Sequence, residues 1–261
     1  MACARPSFLS SSCPSWVAEK TANKIPDLFA EGAIDRRARL VVTNAVYFKG
    51  RWSAPFPKDA TKDEPWKAAA NRTVNVPTMH TTAQLQLGQV GKAKVLGMRY
   101  DGSQLAMIVV LPDDVAGLAK LEESLSPETF DSWAKALSGQ RVAVSLPRFA
   151  FTWGGPLDTQ LQDLGIRTAF SGKADFSGIA DPASSERLQI SRVVQKTWVS
   201  ADEIGTEAAA ASGGTMMITS ANMGPIAEFK ADHPFLFFVY DARPGRGGRI
   251  LFAGRVTNPK S

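Results

Sequence analysis

Runs of β-branched, aliphatic and aromatic residues recur along the chain and predict a protein built mainly from strands. The run Leu40 to Phe48 (LVVTNAVYF) is rich in β-branched and aromatic residues, which is typical of a strand buried on both faces or nearly so. Asp101-Gly102 separates two such runs and favours a tight hairpin turn. The predicted strands are Leu40 to Phe48, Val74 to Met79, Lys94 to Tyr100, Leu105 to Leu111, Val142 to Phe151, Leu188 to Ser200, Phe235 to Tyr240 and Arg249 to Val256.

Helices are fewer than strands and are scattered between them. Ser126, Pro127 and Glu128 have the residue types of a helix N-cap and first turn. The predicted helices are a short one within Ser15 to Phe29 that ends before Pro26, and those at Leu118 to Leu125, Pro127 to Leu137 and Leu157 to Leu164. Because strands and helices do not alternate regularly, the pattern predicts an α+β fold. We expect one domain over residues 15–261, preceded by an unrelated, disordered leader over residues 1–14.

Composition and charge narrow the possible partners. Hydrophobic residues make up 44% of the 261 residues, which excludes a disordered chain. The apolar runs are too short to span a membrane, so no membrane partner is expected. The net charge of +5 comes mostly from the basic tail at residues 241–261. That tail lacks the interleaved aromatic residues of a nucleic-acid module, so no nucleic-acid partner is expected either.

The residues of common catalytic and metal sites are present without the necessary spacing. Neither His80 nor His233 accompanies a nucleophile motif, and no Gly-x-Ser-x-Gly elbow occurs. Cys3 and Cys13 match no zinc-ligand pattern and imply no disulfide framework. The glycines at residues 245–248 lack the Lys-Ser/Thr end of a phosphate loop and fit a hairpin turn. The sequence therefore predicts no enzyme, no metal site and no cofactor.

The segment from Glu203 to Asn222 (EIGTEAAAASGGTMMITSAN) fits a packed domain poorly. One interpretation is a helix with Thr206 as its N-cap, followed by alanines of high helix propensity. Against a permanent helix, the run has no large apolar residues at helical spacing, and Gly213-Gly214 ends it early. A second interpretation is a switch between loop and strand. Thr206, Ala208 and Ala210 occupy alternate positions and are small or β-branched, so one face could fit inside a sheet.

Several motifs, in a specific order, resemble the serpin (serine protease inhibitor) family, in particular a bacterial-type member. They are Leu40 to Trp52, Val76 to Met79, Leu146 to Arg148, Leu161 to Gly165, Gly205 to Ala211, Ala231 to Phe238 and Phe252 to Pro259. The resemblance implies a serpin-like fold with large mixed and antiparallel sheets, surrounding helices and an exposed reactive-centre loop at about residues 203–226. It also implies that the amino-terminal helices and outer strands of a typical member are missing from this chain.

The resemblance implies a suicide-substrate inhibitor of serine proteases. A protease would attack the loop and form an acyl-enzyme, and the cut loop would then insert into the main sheet. Insertion would occur between the strands near Leu40 to Phe48 and Leu188 to Ser200. Counting forward from the hinge glycine gives Thr219-Ser220 as the reactive bond, whereas counting back from the His-Pro-Phe strand gives Met223-Gly224. A small residue at the cleaved bond would suit an elastase-like or subtilisin-like protease.

The remaining positions implied by the resemblance lie at the hinge and at the opening of the sheet. The hinge residues are Glu203, Gly205, Thr206, Glu207, Ala208, Ala209, Ala210 and Ala211. The sheet-opening or structural residues are Asn44, Trp52, Arg148, Gln195 and His233. Glu203 and Arg148 match a pair that braces the top of the sheet, or else form an ordinary surface ion pair. Gln195 stands where many members have His.

Other expectations concern the protein as a whole. The family implies a monomer with a risk of polymerisation and an extracellular location, although the first residues lack an apolar stretch typical of a signal peptide. Two alternatives to inhibition stay open, namely a non-inhibitory serpin-like binding or chaperone protein and an inactive truncated product.

Overall fold

The structure, a computed structural model, describes residues 2–3, 12–29, 38, 40–179, 188–206, 225–243 and 248–260. The strands are β1 (Ala2–Cys3), β2 (Leu40–Tyr47), β3 (Gly50–Arg51), β4 (Lys62–Ala69), β5 (Arg72–Val90), β6 (Ala93–Arg99), β7 (Leu105–Pro112), β8 (Ser138–Pro147), β9 (Phe149–Pro156), β10 (Ile190–Ala201), β11 (Gly205–Thr206), β12 (Ala227–Lys230), β13 (Phe235–Asp241) and β14 (Ile250–Val256). The helices are α1 (Ser12–Lys20), α2 (Leu118–Glu123), α3 (Pro127–Ala136) and α4 (Asp158–Asp163). Across these described ranges, no helix is both long and apolar enough to cross a membrane.

The chain divides into two compact units. Unit 1 comprises Met1–Phe48 and Phe151–Val199, and unit 2 comprises Lys49–Ala150 and Ser200–Ser261. A four-stranded sheet has the order β1-β2-β10-β9. A second sheet, of eight strands, has the order β12-β8-β5-β6-β7-β13-β14, with β4 paired to β5 outside that path. The α+β class predicted from the hydrophobic pattern is therefore confirmed.

The central strands of unit 1 are direct parallel neighbours. β2 and β10 pair from Leu40 opposite Ile190 to Tyr47 opposite Trp198. Parallel neighbours cannot be joined by a short turn, and in this chain residues 48–189 separate the two strands. No described strand lies between β2 and β10, because each is the backbone hydrogen-bonding partner of the other.

Helix α1 begins at Ser12, inside the predicted leader, and ends at Lys20, well before Pro26. The chain leaves the helix through Ala22 and Asn23, which have positive φ angles of 50° and 59°. Val17, Ile25 and Leu28 form a small buried cluster with Ala45 and Trp198 at its edge. The helix is thus fixed by apolar packing within unit 1.

The core of unit 2 lies where α3 packs on the eight-stranded sheet. Phe130 and Trp133 of α3 are buried, and the Phe130 ring lies 5.4 Å from those of Phe238 and Tyr240 in edge-on contacts. The predicted N-cap is confirmed, since Ser126 Oγ accepts a hydrogen bond of 3.1 Å from Thr129 N. The predicted hairpins between β6 and β7 and between β13 and β14 are also confirmed by antiparallel pairing.

Two strand predictions are wrong in extent, and two strands of the eight-stranded sheet were missed. β4 and β12 were not predicted, and β5 runs from Arg72 to Val90 rather than from Val74 to Met79. The predicted strand Val142 to Phe151 is two strands in different sheets, separated at Arg148. Arg148 N still donates to Pro77 O over 2.9 Å, whereas Pro147 has no N–H with which to extend the ladder between β8 and β12.

Candidate functional site

The chain reverses direction immediately after β10, in a turn over residues 202–205. Asp202 N donates to Gly205 O over 2.8 Å. The carboxylate of the same aspartate accepts from Ile204 N at 2.9 Å and from Gly205 N at 3.0 Å, both through Oδ1. A Cβ atom at Gly205 would lie 2.0 Å from Gly50 O, so this position requires glycine.

Beyond the turn, the chain starts a new strand that runs antiparallel to β3. The new strand is β11. Its residue Gly205 lies opposite Arg51 of β3, and Thr206 lies opposite Gly50. The backbone at Thr206 is therefore extended, as it would also be at a helix N-cap, so this pairing leaves both interpretations of the hinge open. Glu207 and the hinge residues after it lie outside the described residues.

Trp52 anchors the turn from the strand side. Its backbone N–H donates to Ile204 O over 2.8 Å, and its indole Nε1 donates to Asp202 O over 2.9 Å. The indole is 3% exposed and stacks on Tyr100, with ring centroids 4.6 Å apart. Phe56 N completes the anchoring by donating to Glu203 O over 2.8 Å.

Glu203 and Arg148, predicted as a bracing pair, are in contact. The Arg148 guanidinium donates to Glu203 Oε1, and Thr61 Oγ1 donates to the same oxygen over 2.6 Å. Glu203 is 3% exposed, so the pair is not an ordinary surface ion pair. Burial alone raises the pKa of the Glu203 carboxyl, but the hydrogen bonds from Thr61 and Arg148 outweigh it and hold that pKa below its usual value.

Asn44 and Gln195 lie opposite each other on β2 and β10 within unit 1. Asn44 is exposed, and Gln195 Nε2 donates to Thr197 Oγ1 over 3.2 Å. Asn44 and Gln195 are therefore two polar residues at the same position along the parallel pairing of β2 and β10.

His233 occupies a buried structural position in unit 2. Its Nε2 lies 2.6 Å from Pro112 O, and its Nδ1 lies 2.7 Å from Asp232 Oδ1. Lys67 Nζ contacts the other carboxylate oxygen of Asp232 at 3.0 Å. Burial raises the pKa of Asp232, but the hydrogen bonds from His233 and Lys67 outweigh that effect and lower it. The network ties the chain after β12 to β4 and β7.

Two partners of the hinge were not predicted from the sequence. Thr61 was missed because nothing in a threonine 142 residues away from Glu203 indicates a contact. Asp202 carried a signal, since Asp before a turn that contains Gly commonly bonds to the backbone two residues on. Both predicted reactive bonds, Thr219-Ser220 and Met223-Gly224, lie outside the described residues.

Comparison with known proteins identifies the class. The family model described as Serpin (serine protease inhibitor) matches residues 10–259, and the chain belongs to this family. It is 40% identical over 253 residues to the leukocyte elastase inhibitor of Bos taurus, covering 94% of this chain. The chain spans only 65% of the length of that relative.

Solved structures agree with the serpin-like fold. Serpin48 of the insect Tenebrio molitor matches with a TM-score of 0.78 and 33% identity, over 94% of this chain and 63% of that one. Uncleaved ovalbumin matches with a TM-score of 0.79 and 28% identity, over 94% of this chain and 61% of that one. The predicted family and fold are both confirmed.

Proposed function

We propose that this chain inhibits serine proteases as a suicide substrate whose cleaved loop inserts into the sheet between β2 and β10. One observation carries the proposal. The chain that leaves β10 has already reversed and has begun to pair antiparallel with β3, the strand that follows β2. In this proposal the strand that begins at β11 continues, after cleavage, between β2 and β10, which now pair with each other in parallel.

The energetics favour such an insertion. A strand entering antiparallel between β2 and β10 replaces one parallel ladder with two antiparallel ladders, which are slightly more stable per residue. Each net hydrogen bond contributes about 0.5–1.5 kcal/mol, so a dozen or so would supply on the order of 10 kcal/mol. The uncleaved form is then kinetically trapped above the inserted one.

The residues of the hinge suit this role. Alanines at 208–211 add no bulk to a strand that enters a packed sheet, and Thr206 at its start is β-branched. In this proposal Glu203, Arg148 and Trp52 brace the turn that precedes the hinge, and Asn44 and Gln195 lie where β2 and β10 separate. In this proposal Thr219-Ser220 is the reactive bond, with Met223-Gly224 as the alternative.

We propose an elastase-like or subtilisin-like protease as the target. A small residue such as Thr219 fits a small specificity pocket, whereas a trypsin-like pocket requires Arg or Lys. The name of the bovine relative, leukocyte elastase inhibitor, supports the same class.

The test is incubation with elastase-, subtilisin-, chymotrypsin- and trypsin-like proteases. We expect an SDS-resistant complex with an elastase- or subtilisin-like enzyme, and the mass of the released carboxy-terminal peptide locates the reactive bond. Cleavage in the loop without any complex would instead support a non-inhibitory protein or an inactive product. The chain cleaved in its loop should also unfold at a higher temperature than the intact chain.

A further inference from the structure

We propose that Asp202 is a positioning residue for loop insertion, a role that rests on the proposed function. Its carboxylate holds the 202–205 turn closed before any cleavage occurs. The chain beyond Gly205 is thereby directed along β3 in the orientation that an inserted strand needs.

The turn is held by bonds to every residue in it. Asp202 Oδ1 accepts from both Ile204 N and Gly205 N, at 2.9 and 3.0 Å. The carbonyls of residues 202–205 accept from Trp52 Nε1, Phe56 N, Trp52 N and Asp202 N, respectively, at 2.8–2.9 Å. Of these donors and acceptors, the Asp202 carboxylate is the one side chain that lies within the turn itself.

Because residue 205 must be glycine, its backbone needs a restraint, and the Asp202 carboxylate supplies it. The approach of Gly205 to Gly50 O excludes any Cβ, so glycine is obligatory. Glycine also has the greatest backbone freedom of all residues, and an unrestrained glycine would let the following chain leave β3. Asp202 Oδ1 accepts two backbone hydrogen bonds, one of them from Gly205 N itself, and so restrains the backbone at this glycine.

Pre-formation of the turn affects the rate of insertion. If the turn is closed in only a fraction of molecules, insertion starts only from that fraction and slows in proportion. Loss of both hydrogen bonds should therefore reduce the rate of insertion about tenfold. Asparagine keeps an acceptor oxygen at the same distance from the backbone and should substitute for aspartate.

The first experiment measures hydrogen exchange at the amides of Ile204 and Gly205 in the intact chain. We expect faster exchange in Asp202→Ala and wild-type protection in Asp202→Asn. Asp175→Ala serves as a matched control, because Asp175 Oδ1 likewise accepts a backbone bond, from Ser177 N at 3.0 Å, in an exposed turn of unit 1. Unchanged protection in Asp202→Ala would overturn the inference.

The second experiment measures how fast the chain gains heat resistance after its loop is cut by a protease that it does not inhibit. We expect Asp202→Ala to be about tenfold slower than wild type, and Asp202→Asn and Asp175→Ala to match wild type within about twofold. A merely structural role would lower the unfolding temperature without changing this rate or showing rescue by Asn.

The outcomes separate the two proposals. If the cut wild-type chain gains heat resistance and Asp202→Ala does so equally fast, the role of Asp202 is wrong and the proposed function stands. If the cut wild-type chain gains none, the proposed function fails and the role of Asp202 fails with it.

Discussion

Arg148 and Glu203 form an asymmetric ion pair, in which the guanidinium side chain is 49% exposed and the carboxylate side chain 4% exposed. The two residues belong to different segments of unit 2, one between β8 and β9 and the other in the turn after β10. Because the carboxylate is the buried member, loss of its partner leaves a charge with Thr61 as its remaining side-chain donor among the described residues. The exposed guanidinium, by contrast, can be hydrated when it is left alone.

Arg148→Ala should therefore lower the free energy of unfolding by about 1–3 kcal/mol, the usual value of a hydrogen bond to a charged group that becomes unsatisfied. Urea denaturation at neutral pH measures the effect. Arg148→Lys should restore part of the loss, since an ammonium can still donate to the carboxylate.

The matched control for this change is Arg255→Ala. Arg255 pairs with Glu122 at 3.1 Å, but its side chain is 61% exposed. We expect a loss below about 1 kcal/mol there. In a Glu203→Gln background, Arg148→Ala should also cost less than it does alone. Equal losses in both backgrounds would show that the pair contributes nothing.

The stability of the chain should depend on pH through Glu203. Its pKa is lower in the folded state than the ordinary value of 4.5 that applies when unfolded. The stabilisation is therefore fully present above about pH 4.5 and is lost as pH falls through the folded-state pKa. Glu203→Gln has no proton to bind, so its deficit relative to wild type should shrink between pH 6 and pH 3. A deficit that stays constant over this range, measured by urea denaturation, contradicts the assignment.

The sequence predicts apolar strands well and mixed ones poorly. Phe235 to Tyr240 is continuously apolar and buried, and its prediction matches β13 within one residue. β4 is Lys-Asp-Glu-Pro-Trp-Lys-Ala-Ala, with Trp66 as its one buried residue, so its sequence carries almost no strand signal. That strand forms because its backbone pairs with β5, which follows it after a two-residue turn, and backbone pairing of this kind needs no apolar pattern in β4.

At the candidate site, Gly205 and the chain reversal after β10 could be predicted from the sequence. The contacts that brace Glu203 depend on tertiary structure and could not. Gly205 follows an Asp at the end of an apolar run, which indicates a turn. From the sequence alone, Glu203 is expected to be an exposed surface charge. Its burial is tolerated because Thr61 and Arg148 both donate hydrogen bonds to its carboxylate. The resemblance to a family supplied the pairing with Arg148, whereas the residue pattern alone did not.

Thr206→Arg should convert the inhibitor into a substrate. Thr206 lies at the start of the strand that the proposed function inserts, opposite Gly50. An arginine buried there without a partner costs several kilocalories, so the protease should deacylate before insertion is complete. We expect the yield of SDS-resistant complex per cleavage to fall by about tenfold or more, with the rate of cleavage unchanged.

Thr206→Ser is the control and should inhibit like wild type. Full inhibition by Thr206→Arg contradicts the insertion mechanism.

The pairing of β11 with β3 predicts the register of the inserted strand. Thr206 lies opposite Gly50, and antiparallel strands advance one residue each in opposite directions. In the proposed function the inserted strand continues this ladder along β2 without a bulge, which would place Ser212 opposite Asn44, between Asn44 and its present partner Gln195. Directly opposed residues have Cα atoms about 4.5–5.5 Å apart, within the range that a disulfide can bridge.

A pair of engineered cysteines tests this register. With Cys3 and Cys13 replaced by Ser, the variant Asn44→Cys with Ser212→Cys should form a disulfide only after the loop is cut, as detected by peptide mass spectrometry. The control pairs Asn44→Cys with Gly213→Cys, whose side chain would point to the opposite face of the sheet. Crosslinking of the control instead would mean that the strand enters one residue out of register. Crosslinking of the intact chain would mean that the loop is inserted before cleavage, contrary to the trapped state on which inhibition depends.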